Sequence, residues 1–517
     1  MLLRLIEKDY FSLAGKTVYA IHHFFTQYIP MKKVISIAFV FVSFNLFAQP
    51  SPAESKNDLP TDYLTKDFHA GRREALRSIM PDNSVMAVFA FPTRTFSNDV
   101  EYLYHQNPDL YYFSGYKEPH SLLLVFKDEQ ADAEGNKFKE ILFVQKRNAG
   151  AEQWTGKRLG TEGAKEKLGI NMSLNGNDFK SSNIDFSKFT KIIFDKFPDD
   201  IPNGYDKADL YDLVQQFKEK AAIPEQLSNQ SKFDTRIYRD LTGQLRAIKT
   251  AEEKDLLRKA VEISCMGQNE VMKAVRPDMS ELEIQGLHEY VHKRYGAEGV
   301  GYGSIIGSGE NGCILHYMEN TKTKIGTSMI LMDVGAEYHG YTADVTRTVP
   351  VDGKFSTEER AIYQLVYDAQ EAAFKTLKDG SKWSDASKAA MDVIAEGLVK
   401  LGIIKNKNEA GKYYPHGLGH HIGMDVHDRG SMSTIKKDMV ITVEPGIYIP
   451  EGSNCDKKWW SIAVRIEDDL LITENGYELL SHFAPRKIED IEKMISQKSI
   501  LDNYKLPPLE SGKKKGF

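Results

Sequence analysis

The chain has 517 residues, too many for one ordinary domain and enough for two or three. Hydrophobic residues make up 41% and charged residues 27%, which fits a soluble globular protein with a real core. The net charge of -6 is mild and the one dense basic run is Lys513-Lys514-Lys515, so no nucleic-acid partner is expected; the three cysteines are too few for a disulfide framework, though one bridge remains open.

Near the amino terminus, Met31-Lys32-Lys33 leads into an apolar run from Val34 to Phe47, closed by Ala48 before the polar Gln49-Pro50-Ser51. A short basic start, an apolar core and a small residue describe a secretory signal peptide over 31–48. Met31 then reads as the true start and residues 1–30 as an upstream artefact. The protein reads as exported to the periplasm, and as cytoplasmic if the segment is not used. The run is shorter than the roughly 20 residues of a membrane span, so no stable span is expected. Residues 49–62 read as a polar, proline-containing linker.

A first domain is expected over 63–240. Residues 68–80 predict a helix, with Leu76, Ile79 and Met80 at helical spacing. Residues 84–91, 121–126, 140–144 and 191–194 are apolar runs of strand length, and 206–218 is helix-like. Runs without alternation read as strands buried on both faces, hence an α/β domain. The aromatic stretch Tyr111-Tyr112-Phe113 is expected in the core. Trp154 is expected in a polar, glycine-containing loop with a structural role.

A second domain is expected over 241–499, and a disordered tail over 500–517. Residues 246–275 predict one long helix ending before Pro277. Ser280 and Glu283 predict a capping-box start for the next helix, through about Tyr295. The glycine-rich run 299–312 is not a dinucleotide fingerprint, because no helix pattern follows it. Asp333 ends one strand and Asp344 lies in its partner; a tight turn centred on Tyr338-His339 would set them face to face. Two bare carboxylates so placed repel, and a cation between them removes the conflict. Two further strands deliver Glu444 and Glu467, with Arg465 on the same face as Glu467. Residues 382–402 predict another helix, and 484–492 a closing turn and helix. The stretch 413–428 holds His416, His420, His421 and His427 among Gly417, Gly419 and Gly423, which reads as a loop or bent strand brought close to something. Two aspartates, two glutamates and a histidine form an oxygen-rich, sulfur-free set suited to manganese, cobalt or zinc. Two such ions about 3.5–4 Å apart can hold a hydroxide and polarise a carbonyl, which is hydrolytic chemistry.

These pieces together resemble the Xaa-Pro aminopeptidases (aminopeptidase P) among the pita-bread metallopeptidases. The resemblance runs from about Tyr63 to Ile495. It rests on the run Gly307-Ser308-Gly309-Glu310-Asn311-Gly312-Cys313-Ile314-Leu315-His316-Tyr317, the Asp333/Asp344 pair with Thr346-Arg347-Thr348, the histidine stretch, Thr442-Val443-Glu444-Pro445-Gly446 and Val464-Arg465-Ile466-Glu467-Asp468. It implies a creatinase-like α/β amino-terminal domain before a pita-bread catalytic domain. It implies two divalent metal ions, manganese first, on Asp333, Asp344, His420, Glu444 and Glu467, with Asp344 and Glu467 bridging. It implies that His316 and His427 contact the substrate and steady the scissile carbonyl, that His416 lines the proline pocket, that Arg465 orients a bridging carboxylate, and that Glu444 shuttles a proton. His421 has no role in the pattern and reads as structural. The implied partners are peptides with proline in second position, and other copies of the chain in a dimer or tetramer, with Trp154 near a subunit contact. A bond to proline nitrogen has no amide hydrogen, so a general peptidase that grips that hydrogen fails and a dedicated pocket is needed. The alternatives are a prolidase, which cleaves only Xaa-Pro dipeptides, and a non-catalytic peptide-binding protein on the same fold.

Overall fold

The computed structural model describes residues 60–204, 208–225, 232–503 and 506. The expected signal peptide and most of the linker lie outside them. The described residues from Leu64 onward form one compact unit. Among the described residues no helix is long and apolar enough to cross a membrane.

The first half builds a six-stranded mixed sheet from β1 (Ser84–Phe89), β2 (Leu122–Ala131), β3 (Lys137–Val144), β4 (Met172–Asn175), β5 (Lys191–Phe194) and β6 (Phe233–Asp234), in the order β4-β3-β2-β1-β5-β6. β1 runs antiparallel to β2, Val85 facing Phe126, and parallel to β5. Every residue of β1 and the first five of β2 are buried, as unbroken apolar runs require. Helices α1 (Lys66–Ile79), α2 (Pro108–Ser114), α3 (Ala149–Thr155), α4 (Gly160–Leu168) and α5 (Leu210–Ala221) accompany the sheet. α2 takes the aromatic stretch into the core, with Tyr112 and Phe113 fully buried. Trp154 departs from expectation. It lies in α3, capped by the Asn148 side chain, and its ring is 89% exposed, so it packs no core.

In the second half, helices surround small antiparallel sheets. The single long helix expected over 246–275 is two, α6 (Thr235–Ala247) and α7 (Ala251–Ala274). The break is a capping box. Thr250 accepts from the Glu253 N–H while the Glu253 carboxylate accepts from the Thr250 N–H, so α7 starts at its own signal. α8 (Glu281–Arg294), α9 (Thr357–Phe374), α10 (Trp383–Lys400) and α11 (Ile488–Ile495) follow. The strands that shape the site are β7 (Ile305–Ser308), β8 (Met329–Val334), β9 (Ala336–Tyr338), β10 (Tyr341–Thr342), β11 (Val345–Pro350), β12 (Val440–Val443), β13 (Gly446–Ile449), β14 (Ile462–Arg465), β15 (Asp468–Ile472) and β16 (Tyr477–Leu479). They pair as β7-β8-β11, β12-β15-β16 and β13-β14.

The hairpin register differs from expectation. The turn is centred on His339 (φ 52°) and Gly340 (φ 84°), one residue later than predicted. Two-residue turns with positive φ at both positions match the strand twist, and glycine takes one of them without strain. Tyr338 therefore faces Tyr341, and Asp333 faces Thr346 rather than Asp344. Asp344 sits in the gap before β11, while Glu444 follows β12 and Glu467 lies between β14 and β15. Each opening is closed from behind by a buried glutamine. Gln268 of α7 donates to Met332 O and Val345 O at 2.9 and 2.8 Å, and Gln370 of α9 to Val443 O and Ile466 O at 2.9 and 3.0 Å. Buried carbonyls that leave the ladder need such donors. The splayed strands then present their acids forward.

The ordered chain extends past the expected start of the tail. Ile500–Asn503 forms a 3₁₀ turn with Leu501 buried and Asp502 paired with Arg276. α7 and α8 also enclose two buried histidines, His288 and His292. All four of their ring nitrogens lack hydrogen-bond partners among the described residues. Gly267 of α7 makes room for them, since a Cβ there would lie 2.8 Å from His292 Nε2 and 3.1 Å from His288 Nδ1.

Candidate active site

A cavity of about 490 Å³ is lined by all nine residues nominated from the sequence: Asp333, Asp344, His420, Glu444, Glu467, His316, His416, His427 and Arg465. Local structure explains how several of them arrive. The Asp344 N–H donates to Asp469 Oδ2 at 3.0 Å, and the Glu467 N–H to Thr346 O at 3.1 Å, which locks the two strand gaps against each other. The Glu467 carboxylate accepts from Thr346 Oγ1 at 2.6 Å. The histidine stretch is irregular but runs beside β12, with the Ile422 N–H donating to Val440 O at 3.1 Å and the Thr442 N–H to His420 O at 2.8 Å. Its glycines serve close approach. A Cβ on Gly419 would stand 2.1 Å from Thr442 O, and one on Gly423 2.0 Å from Asp428 Oδ2.

His420 is oriented by its backbone and its ring. Its N–H donates to Thr442 Oγ1 at 3.1 Å, and its Nδ1 lies 2.9 Å from His421 O. An Nδ1–H that donates to a carbonyl leaves Nε2 as the ligating atom. Nε2 faces Asp344 Oδ2 at 3.5 Å and Glu444 Oε1 at 3.6 Å. His427 packs edge-on to His420, with ring centroids 4.3 Å apart. Its chain neighbours are clamped from below. The buried Arg246 donates to Asp109 Oδ1 at 2.8 Å and Asp425 Oδ2 at 2.6 Å and pairs with Asp428 Oδ1 at 2.5 Å. Lys249 donates to Asp428 Oδ2 at 2.9 Å. Burial would raise the Asp428 carboxyl, but the charges of Arg246 and Lys249 hold it below the usual range.

The cavity floor is short of positive charge. Burial pushes Glu444 up to about 8 and Glu467 well above the carboxylate range, and it raises Asp333 against the pull of Arg465. Asp344 moves the other way, because hydrogen bonding to His420 and its charge outweigh burial. His420 rises to about 9 despite burial, through Asp344 and Glu444. Burial lowers His416 to about 4 and also lowers His427, so both stay neutral at neutral pH. These donors fit divalent cations. Asp344, His420 and Glu467 each offer one atom within 4.8 Å of the others. Glu467 Oε1 is buried with no partner among the described residues. A bound cation supplies the charge that such carboxylates lack.

Reading the sequence does not find Tyr302. Its hydroxyl lies 2.5 Å from Asp333 Oδ1 and 2.6 Å from Asp344 Oδ1, tying the two aspartates that register alone leaves offset. Its signal is the glycine on either side, since a Cβ on Gly301 would lie 1.7 Å from Thr342 Oγ1. Tyr448 is missed too. It links His416 Nε2 at 2.8 Å to Arg465, whose guanidinium reaches Tyr448 at 2.9 Å and Asp333 Oδ2 at 2.6 Å. His421 is buried, its Nε2 3.3 Å from Ser431 O, and it is absent from the cavity wall.

Residues 255–474 match the profile of Metallopeptidase family M24, and residues 69–188 that of the Aminopeptidase P, N-terminal domain. The Xaa-Pro aminopeptidase of Escherichia coli (strain K12) is 34% identical over 436 residues, covering 82% of this chain and 96% of that protein. The Xaa-Pro aminopeptidase of Haemophilus influenzae is 33% identical, covering 84% and 98%. The solved structure of E. coli aminopeptidase P with the inhibitor Pro-Leu superposes with a TM-score of 0.73 at 33% identity, over 84% of this chain and 98% of that one.

Proposed function

The chain belongs to the aminopeptidase P family of M24 metallopeptidases, and from that premise we propose that its cavity releases the first residue of peptides whose second residue is proline. It is a metallo-exopeptidase with an α/β amino-terminal domain and a pita-bread catalytic domain. The observation that carries the reading is the meeting of Asp333, Asp344, His420, Glu444 and Glu467 on one cavity wall with His316, His416 and His427.

The five former residues would hold two divalent ions, with manganese the proposed metal. Ions so held would supply Lewis acidity and activate water at neutral pH. The chain's own side chains do the remaining work. The Glu444 carboxylate takes a proton from the attacking water and returns it to the proline nitrogen as the C–N bond breaks. His316 and His427 contact the scissile carbonyl, and an imidazole N–H donates to its oxygen as negative charge develops there. His416, steadied by Tyr448, and the apolar Leu315, Met318 and Val426 form walls against which a proline ring can pack. Arg465 keeps Asp333 in place through its 2.6 Å contact, rather than either carboxylate expected to bridge.

The test is chelation followed by reloading with manganese, cobalt or zinc, using an Xaa-Pro dipeptide and an Xaa-Pro-Xaa peptide. Chelation is expected to stop turnover, and reloading to restore release of the first residue from the longer peptide. Cleavage of the dipeptide alone would make the chain a prolidase. Turnover of neither with any metal would reopen the binding-protein reading. For location we propose export, supported by the pattern of residues 31–48. That reading requires a mature chain starting near Gln49 by mass spectrometry, and a start near Met1 would sink it.

A further inference from the structure

His316 stands on a loop whose side chains alternate between solvent and interior. Ile314, His316 and Met318 are exposed, while the intervening Tyr317 is buried. An exposed loop does not hold a side chain to the tolerance that catalysis needs, so its anchors decide where the imidazole stands. Those anchors converge on one carboxylate, Glu281, the first residue of α8 and fully buried.

Glu281 Oε1 accepts from the Ser308 N–H at 2.9 Å, from Ser308 Oγ at 2.8 Å and from Asn311 Nδ2 at 3.1 Å. Oε2 accepts from the Tyr317 hydroxyl at 3.0 Å, from the Lys322 N–H at 2.9 Å and from Asn311 Nδ2 at 3.2 Å. The Glu281 N–H returns a bond to Lys322 O at 3.0 Å. The donors lie on both sides of His316 along the chain, so the carboxylate closes residues 308–322 into a ring around it. A buried carboxylate is tolerated only when its lone pairs are filled, and here both oxygens are. The N-terminus of the 14-residue α8 also favours a negative charge at that position. Ser308 ends β7, whose Ile305 faces Asp333. The anchor therefore ties His316 to the sheet that carries the acids, although Glu281 is not among the residues lining the cavity.

We infer that Glu281 is a positioning residue for the peptidase reaction, setting through Tyr317 where the His316 imidazole stands relative to Asp333 and the substrate. The inference rests on the assignment of His316 to the substrate carbonyl. A merely structural Glu281 would change the folded fraction alone; a positioning Glu281 changes kinetics in a way that depends on His316.

The experiment measures kcat and KM of the manganese-loaded full chain on an Xaa-Pro-Xaa peptide, together with Tm and metal content. The variants are His316→Ala, Tyr317→Phe, Glu281→Gln and the double variant His316→Ala with Tyr317→Phe. His316→Ala is expected to lower kcat/KM by roughly 100-fold, as loss of a donor to the developing charge does. Tyr317→Phe removes one hydroxyl, which also bonds Asn311 and Thr321, and is expected to lower kcat by roughly tenfold and Tm by a few degrees, with the chain still folded at assay temperature and metal content close to that of the parent. In the double variant the Tyr317 change should cost nothing more, because there is no imidazole left to misplace. Glu281→Gln turns an acceptor into a donor facing donors and should fall further than Tyr317→Phe; if it does not fold, Tyr317→Phe carries the test. Equal effects of Tyr317→Phe with and without His316, or no effect at all, would overturn the inference. Unchanged turnover in His316→Ala would instead bring down the assignment of His316, and the inference with it.

Discussion

His420→Ala leaves a folded protein that no longer turns over an Xaa-Pro-Xaa peptide. His420 is the one nitrogen donor of the proposed metal set, and its Nε2 lies between Asp344 and Glu444 at 3.5 and 3.6 Å. Loss of an outer partner of a metal ligand costs roughly 10–100-fold, and loss of a ligand itself exceeds that, so we expect kcat/KM to fall by roughly 1,000-fold or more. The fold should survive, since outside the site the ring is held through Nδ1 to the backbone carbonyl of its own neighbour, His421. Steady-state kinetics and metal content by mass spectrometry check this together. Turnover near that of the parent with two ions still bound would remove His420 from the metal set.

The second large effect is on stability. Among the described residues His288 and His292 are buried without hydrogen-bond partners, and His292 is the ionisable group that acts on His288. Burial lowers His292 to about 4 and His288 well below its ordinary value. Both are therefore neutral in the folded chain, while the unfolded chain takes up protons below about 6.5. The unfolded state then binds more protons, so stability is lost as pH falls from about 6.5 towards 4. For His292 alone the depression amounts to about 3 kcal/mol over that window, and His288 adds to it. Urea unfolding between pH 7.5 and 4 should show a steeper loss for the parent than for the His288→Leu, His292→Leu double variant. Equal slopes would mean that the rings find partners or water when protonated.

Much of the fold is legible in the chain because its signals are local. The unbroken apolar runs become β1, β2, β3 and β5, and Ser280 caps α8 where expected by accepting from the Glu283 N–H, although the Glu283 side chain does not return the bond that would complete a capping box. The same kind of signal was present at Thr250, where the residues Thr250 and Glu253 divide what periodicity alone reads as one helix. Trp154 shows the limit of residue-type reasoning. An aromatic ring favours burial on average, but a short helix at the surface leaves this one exposed. The four acids are legible for a different reason: metal chemistry needs particular donors, and carboxylates stand out against apolar strands, whereas the roles expected of His316, His416, His420, His427 and Arg465 come from the family resemblance alone.

What the chain by itself determines here is therefore the set of strands and helices, their caps, and which acids and imidazoles are available. Their meeting is a matter of three-dimensional arrangement. The register of the Asp333 hairpin turns on whether Tyr338 or Gly340 shares positive φ with His339, and a shift of one residue in the turn moves the facing partner of Asp333 by two. Tyr302 joins the two aspartates from a separate segment, Gln268 and Gln370 prop open the strand gaps from helices behind them, and Arg246 and Glu281 hold the loops of His427 and His316 from outside the cavity. Each of these is a polar side chain whose nearest partners are far away in sequence. Its role depends on which buried donor or acceptor it must satisfy, and that is known only once the chain has closed around it.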